Sequence, residues 1–145
     1  MPKADVGILT VIPAELKAVR AALRISTDAK EKDAEGTTFW RCTLASNALG
    51  RRIAIVAGCV GDAGNYSAAT ATTRMIAHYK PRVVFLVGIA AGIRGKVKIG
   101  EVVLAERIVA YEHAAAVVDQ HGNSTLQRRP EIHRIPHRIR VRMPS

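Results

Sequence analysis

The 145-residue chain is long enough to bury one hydrophobic core, and its formal net charge of +10 makes it a strongly basic protein. A hydrophobic fraction of 48% with a mean hydropathy of +0.07 excludes an intrinsically disordered chain. The longest apolar runs, at residues 83–87 and 102–105, are far shorter than the roughly 20 residues of a membrane-spanning helix.

The beginning of the chain predicts a buried strand followed by a helix. Residues 6–11 form an apolar run rich in β-branched side chains, which is typical of a buried strand. Pro13 suits the first turn of a helix. The apolar positions beyond it recur at three- and four-residue spacing, at Leu16, Val19 and Leu23. Residues 26–36 are polar and charged, which predicts a surface connection.

Strands and helices alternate through the middle of the chain. The strands predicted after this connection are residues 38–44, 52–57, 82–87 and 102–111. Residues 65–79, between the second and third of them, predict a helix of small side chains that Pro81 helps to end. The side of this helix predicted to face the sheet comprises Ala68, Thr72, Met75, Ile76 and Tyr79.

This alternation predicts an α/β, three-layer domain with a mainly parallel or mixed central sheet. The pattern weakens beyond residue 112, although residues 139–143 alternate in the manner of an edge strand. We therefore expect an α/β core over residues 1–112. We expect a basic C-terminal segment over residues 113–145, forming either an edge strand or a disordered tail.

One carboxylate follows the first predicted strand at a place where chemistry is expected. Ligands of open α/β sheets bind beyond the carboxyl ends of the strands, and Glu15 lies in the first helical turn after such an end. A carboxylate there accepts a proton from a water or hydroxyl if it faces a cleft. The alternative is a helix-start glutamate stabilised only by the helix dipole, and spacing alone favours that reading.

Two glycine-containing turns add to this carboxylate. The first turn contains Gly58, Gly61 and Gly64 before a helix, and the second contains Gly88, Gly92 and Gly95 after a strand. Glycine permits positive φ and a close approach of the backbone to a ligand. Neither turn has the GxGxxG fingerprint or the GK[ST] of a Walker A loop, so a dinucleotide or P-loop site is not indicated.

Three stretches together resemble the nucleoside phosphorylase superfamily, and are most similar to its branch of 5'-methylthioadenosine/S-adenosylhomocysteine nucleosidases. The family opens with a strand of the type G-I-[IL]-x-A-[LM]-x-x-E, whose register residues 7–15 follow. A G-[NK]-[VY]-x-A-A segment is matched by residues 64–69. A strand ending in G-[SI]-[AC]-[AG]-G, then a basic turn and [VIL]-G-[DE]-V-V, is matched by residues 88–92 and 99–103. The match covers residues 5 to about 112.

The resemblance implies a phosphorylase/hydrolase-like fold and a nucleosidase or nucleoside phosphorylase that cleaves the N-glycosidic bond of a purine nucleoside. Its transition state would resemble an oxocarbenium ion. Glu15 would be the catalytic base that activates water. The implied substrate-binding residues are Ala63 and Gly64 against the ligand, and Ile89, Ala90 and Gly92 beside the ribose or nucleophile pocket. The resemblance implies a homo-oligomer, and we expect no metal and no cofactor apart from phosphate as a co-substrate.

Three departures from the family pattern affect these expectations. Ile89 stands where nucleosidases usually have a serine, whose hydroxyl helps to hold water or phosphate. Ala14 stands where an acidic residue is common. The family's ribose-binding Glu and its base-protonating Asp lie in a C-terminal segment that has no match before Ser145. We therefore expect that the C-terminal part of the domain is missing and that this chain alone lacks full activity.

Two other functions remain open at this point. The first is a non-catalytic nucleoside-sensing or assembly module that keeps the fold. The second is a nucleic-acid-binding protein, because residues 128–145 contain six arginines and one acid, Glu131. That tail has no aromatic residue on which bases would stack, so nucleic acid is the less favoured partner.

The cysteines, histidines and N-terminus point to the cytoplasm and away from metal. Cys42 and Cys59 form no CxxC pair, which favours two reduced thiols. The five histidines have no metal-binding spacing. The first residues lack the long apolar region of a secretory signal.

Overall fold

A computed structural model describes residues 3–110, 114–118 and 124–135. The chain forms two compact units, Met1–Ala91 and Gly92–Ser145. The predicted boundary after residue 112 falls within the second unit and stays a prediction. The edge strand predicted at residues 139–143 lies outside the described residues.

The first unit contains a five-stranded mixed sheet and two helices. Its elements are β1 (Val6–Thr10), α1 (Pro13–Ala22), β2 (Lys30–Lys32), β3 (Thr38–Ser46), β4 (Arg51–Cys59), α2 (Asn65–Tyr79) and β5 (Val83–Leu86). The strand order is β2-β3-β4-β1-β5, in which β1 runs parallel to both β4 and β5. β2 and β3 pair antiparallel, as do β3 and β4. The expected mixed central sheet is therefore confirmed.

The helices cover opposite faces of this sheet, because neighbouring strand residues point to opposite sides. The two clusters comprise Leu9, Phe39, Val56, Met75 and Tyr79 on the α2 face, and Ile8, Leu16, Trp40 and Ala57 on the α1 face. Met75 and Tyr79 are completely buried, and the ring of Tyr79 meets that of Phe39 edge to face at 5.2 Å between centroids. The three-layer α/β arrangement is confirmed.

Three predictions within this unit were wrong in detail. β2 lies inside the segment predicted as a surface connection, because the lysine-rich strand forms through pairing with β3 rather than through apolar alternation. Among the described residues β5 is the last strand of the sheet, and its side chains are half-buried or exposed, so it is not a buried strand. Ile76, predicted to face the sheet, is 48% exposed, because α2 buries Ala71, Met75 and Tyr79 at four-residue spacing.

The described residues of the second unit form two short antiparallel ribbons. They comprise β6 (Arg107–Ala110) with β9 (Glu131–Arg134), and β7 (Ala114–Val118) with β8 (Ser124–Arg128). The strand predicted over residues 102–111 is thus shorter than expected. Residues 102–105 pair with no other strand in the described chain, and Val102 is 97% exposed. A high β propensity does not make a strand where no pairing partner lies beside it.

Candidate active site

The passage from β1 into α1 positions Glu15. Ile12 has the extended backbone of a helix N-cap, and Pro13 starts the helix where a missing N–H costs nothing. Glu15 is then the third helical residue, and its Oε2 accepts the Ile12 N–H at 3.1 Å. This return from the third helical residue to the cap is half of a capping box; the isoleucine side chain cannot supply the other half.

The carboxylate of Glu15 bridges the ends of two neighbouring strands. Its Oε2 also accepts the Val11 N–H at 2.9 Å, just beyond β1. Its Oε1 accepts the Ile89 N–H at 2.9 Å, beyond β5, across 74 residues of sequence. Glu15 therefore lies at the carboxyl edge of the parallel strands, where ligands of α/β sheets bind.

Gly88 makes room for this carboxylate. A Cβ atom built on Gly88 would lie 2.8 Å from Glu15 Oε1 and 3.2 Å from its Cδ. Those separations are too short for a real side chain, so the glycine permits the hydrogen bond between Glu15 and Ile89.

These hydrogen bonds hold Glu15 in its charged form. The N–H groups of Ile89 and then Ile12 lower the pKa of the carboxyl below its ordinary value. Desolvation opposes them with a smaller effect, and the Val11 N–H adds the weakest lowering effect. Oε1 accepts one N–H, so it retains a lone pair for a further donor. The group is ionised at neutral pH and can accept a proton from a water molecule.

The first glycine turn, at the end of β4, is hydrogen-bonded to the end of β1 beside Glu15. Val60 donates its N–H to the Thr10 carbonyl at 2.8 Å, and Gly61 donates to the Val11 carbonyl at 3.0 Å. Gly61 has φ +84°, and Gly64, the N-cap of α2, has φ +145°, so both positions favour glycine. The predicted ligand-contacting pair, Ala63 and Gly64, is exposed in this turn.

The second glycine turn supplies one direct partner of Glu15. Ile89 offers its backbone N–H to the carboxylate, while its side chain is 84% exposed. Ala90 is exposed beside it. Gly92 belongs to the second unit, where a Cβ on it would approach Val97 at 3.1 Å. The structure thus brings Glu15 and Ile89 together, and no hydrogen bond joins Ala63, Gly64 or Ala90 to Glu15 in the described chain.

A polar cleft lies next to the first glycine turn, and no sequence motif indicates it. The cleft has a volume of about 240 Å³ and lies between the end of β4, the first turns of α2 and the loop before β3. Its polar side chains include Thr37, Ser67, Thr70 and Arg74. Thr37 and Arg74 lie 37 residues apart, and no motif links them, so only the fold reveals that Arg74 donates to the Thr37 hydroxyl at 2.7 Å.

The described residues contain neither a metal-binding cluster nor a membrane-spanning helix. Within residues 3–110, 114–118 and 124–135, no group of three or more His, Cys, Asp or Glu side chains is placed to hold a metal ion. The helices of the same residues include none with the length and apolarity to cross a membrane.

Comparison with known families decides the family. The sequence model of the phosphorylase superfamily matches residues 5–140. The chain belongs to the phosphorylase superfamily. This membership agrees with the mixed sheet and with the motif resemblance of the first unit.

Two relatives within the phosphorylase superfamily carry the name ATP nucleosidase Cap17, one from Escherichia coli strain KTE188 and one from Escherichia coli. Each is 38% identical to the chain over 117 residues, which is 78% of the chain and 22% of the relative. The chain therefore spans about a fifth of the length of these relatives. No solved structure matches the chain.

Proposed function

We propose that this chain carries the water-activating part of a nucleosidase that hydrolyses the N-glycosidic bond of a purine nucleoside or nucleotide. The observation that carries the proposal is the position of Glu15, an ionised carboxylate held across the ends of β1 and β5. Glu15 lies within the residues that the phosphorylase superfamily model matches, and it ends the strand-to-helix motif in which the sequence resembles that family. The relatives named ATP nucleosidase support hydrolysis and an adenine base.

The proposed reaction uses the free lone pair of Glu15. A water molecule donates one proton toward Oε1 while its oxygen attacks the anomeric carbon. The bond between that carbon and the base nitrogen breaks, and its electron pair leaves with the base, which takes up a proton. The products are the free base and ribose, or its phosphorylated form, and Glu15 releases its proton to solvent to complete the cycle.

Residue 89 favours hydrolysis over phosphorolysis. The Ile89 side chain has no donor for a phosphate oxygen, and its N–H is already used by Glu15. We therefore propose water as the nucleophile, with phosphorolysis as an outcome that the assay distinguishes.

One observation favours a second candidate function. The same three N–H bonds that orient Glu15 lower its pKa, which weakens it as a base. A non-catalytic nucleoside-sensing or assembly module of the same fold is therefore the alternative. The expected homo-oligomeric state, cytoplasmic location, independence of metals and cofactors, and low affinity for nucleic acid are part of the same proposal.

The test is release of free base from the purified, folded chain, followed by chromatography. The substrates are methylthioadenosine, S-adenosylhomocysteine, adenosine, ATP and inosine, each with and without phosphate. Because this chain alone is expected to lack full activity, we expect slow adenine release without phosphate. We expect Glu15→Gln, which keeps the shape but not the base, to reduce that release by roughly a hundredfold or more. Nucleoside binding without base release would favour the sensing module. Release that requires phosphate would overturn hydrolysis.

A further inference from the structure

The cleft beside α2 has a donor-rich lining with a single charged side chain. Its eight lining residues include Arg74, the hydroxyl residues Thr37, Tyr66, Ser67 and Thr70, and no carboxylate. Arg74 has five N–H donors, and its Nη1 uses one of them on the Thr37 oxygen. A cleft lined in this way is suited to a ligand that accepts hydrogen bonds and carries negative charge.

Arg74 makes no ion pair in the described chain. Among the residues that the structure describes, no Asp or Glu oxygen lies within 4.0 Å of the Arg74 guanidinium. Two carboxylates, Asp33 and Glu35, lie on the loop that carries Thr37. Asp33 Oδ1 accepts the N–H groups of Glu35 and Thr37, and neither acidic residue lines the cleft. A half-buried guanidinium held over a cleft without a counter-ion attracts an anion.

The start of α2 adds backbone donors to the same cleft. The first backbone N–H of this helix that is hydrogen-bonded is that of Ala68, which donates to the Gly64 carbonyl. In the described chain the N–H groups of residues 65–67 have no acceptor, and Tyr66 and Ser67 line the cleft. Free N–H groups at a helix start favour phosphate, in agreement with the Arg74 guanidinium.

The cleft adjoins the candidate active site through the backbone. Val60 lines the cleft and donates to the Thr10 carbonyl, and Gly61 donates to the Val11 carbonyl. The N–H of Val11 is in turn held by Glu15. A volume of about 240 Å³ equals the space of roughly eight water molecules, which leaves room for a phosphate chain.

The geometry points to this cleft as a subsite that binds the phosphate chain of a nucleotide substrate. Arg74 is its specificity-determining residue. The claim that the phosphate belongs to a nucleotide substrate rests on the proposed function. The claim that the cleft binds phosphate rests on the cleft alone. The inference assigns the substrate as a nucleotide in preference to a nucleoside. Inorganic phosphate shares this chemistry, so the test includes it separately.

The test compares binding of ATP, adenosine, tripolyphosphate and inorganic phosphate by calorimetry. We expect Arg74→Gln to weaken ATP and tripolyphosphate by roughly tenfold or more and to change adenosine by less than about twofold. Arg74→Lys should fall between, because it keeps the charge but loses the planar fork. Thr37→Val removes the acceptor that orients Arg74, and we expect a smaller loss of about threefold. The Thr37→Val variant still tests the subsite if Arg74→Gln does not fold.

Arg52 provides a matched control. It also donates to a threonine hydroxyl, that of Thr43 at 2.6 Å, but it lies near the opposite end of β4 from Cys59. Arg52→Gln removes the same charge and should leave ATP affinity within about twofold. An equal loss in Arg52→Gln and Arg74→Gln would overturn the inference, since the whole charge of the protein would then account for binding. Tighter binding of inorganic phosphate than of tripolyphosphate would assign the cleft to free phosphate and overturn the nucleotide assignment.

The inference and the proposed function fail in distinguishable ways. Tripolyphosphate binding that depends on Arg74, without base release from any substrate, would overturn the hydrolase and leave the subsite standing. Base release from ATP with the same KM in Arg74→Gln as in the parent chain would overturn the subsite and leave the hydrolase standing.

Discussion

Glu15 shows how a side chain near the surface is positioned by backbone groups alone. Its three partners are the N–H groups of Val11, Ile12 and Ile89, none of which depends on the side chain at its position. The sequence motifs therefore indicate Glu15 and residue 89 as parts of one site, but they carry no signal for the hydrogen bond between them. That contact follows from the parallel pairing of β1 and β5, which aligns the ends of both strands.

The lowered pKa of Glu15 has a consequence for the pH dependence of the proposed reaction. In the proposed reaction the charged carboxylate acts as the base, so we expect activity to be lost as pH falls through its pKa. Because hydrogen bonding holds that pKa below the ordinary 4.5, we expect kcat/KM for base release to show its acid limb below pH 4.5. The measurement is base release between pH 3.5 and about 8 in the parent chain. An acid limb near pH 6 would assign the base to another group.

Gly88 offers a substitution that displaces Glu15 without touching its chemistry. In Gly88→Ala the new Cβ would meet Glu15 Oε1 at 2.8 Å, so the carboxylate must move and lose its bond to Ile89. A misplaced catalytic group costs up to about a hundredfold in rate, so we expect a loss of roughly ten- to a hundredfold in base release. The unfolding midpoint should change little.

Leu86→Ala is the control for Gly88→Ala, because it alters a side chain of β5 that is 66% exposed. It should keep most of the activity. Unchanged activity in Gly88→Ala would mean that the contact between Glu15 and residue 89 has no part in the reaction.

At the level of the element, spacing predicted the bounds of α2 and much of its buried face, including Met75 and Tyr79, but it wrongly placed Ile76 on that face. The helix runs over Asn65–Tyr79 as expected, because its small side chains suit a helix and Pro81 follows it. A helix of small residues has a weak apolar asymmetry, so the sequence does not fix its rotation about its own axis. In the structure, contact with β1 and β4 decides the rotation and places Met75 inward and Ile76 outward.

Two neighbouring substitutions test that rotation. Met75→Ala removes a completely buried side chain, and we expect the free energy of unfolding to fall by about 2–5 kcal/mol. Ile76→Ala removes a similar volume from a side chain that is 48% exposed, and we expect a change within about 0.5 kcal/mol. Urea denaturation of both variants gives the comparison. A larger loss in Ile76→Ala than in Met75→Ala would contradict the observed face.

At the scale of the molecule, the sequence predicted the layered α/β core well and the region after residue 91 poorly. Buried strands such as β1 carry their signal in continuous β-branched runs, and the glycine turns follow them at fixed places. Residues 102–105 have the same composition but no paired strand in the described chain, and Val103 is 65% exposed. The cleft around Arg74 was also missed, because its walls come from three elements that only the fold brings together.

The unequal burial of the two units predicts unequal local stability. Every buried hydrophobic residue of the described chain lies between Ala4 and Tyr79, in the first unit, whereas Ile108 and Ile132 of the second are each 60% exposed. Few buried apolar contacts mean a low free energy of local opening. We expect the amides of β4 to exchange with solvent roughly a hundredfold or more slowly than those of β6 and β9, because an isolated two-stranded ribbon is marginally stable.

Hydrogen exchange followed by mass spectrometry of peptides from each unit makes that comparison, with β5 as an internal control. In the described chain β5 is the last strand of the sheet and its side chains are half-buried or exposed, so its amides should exchange faster than those of β4 but slower than those of β6. Equal protection of β4 and β6 would contradict the expectation and would require burial of the second unit by a further surface, such as a second copy of the chain. Exchange at two protein concentrations separates these cases, because burial by association makes protection of β6 rise with concentration whereas protection within one chain does not change.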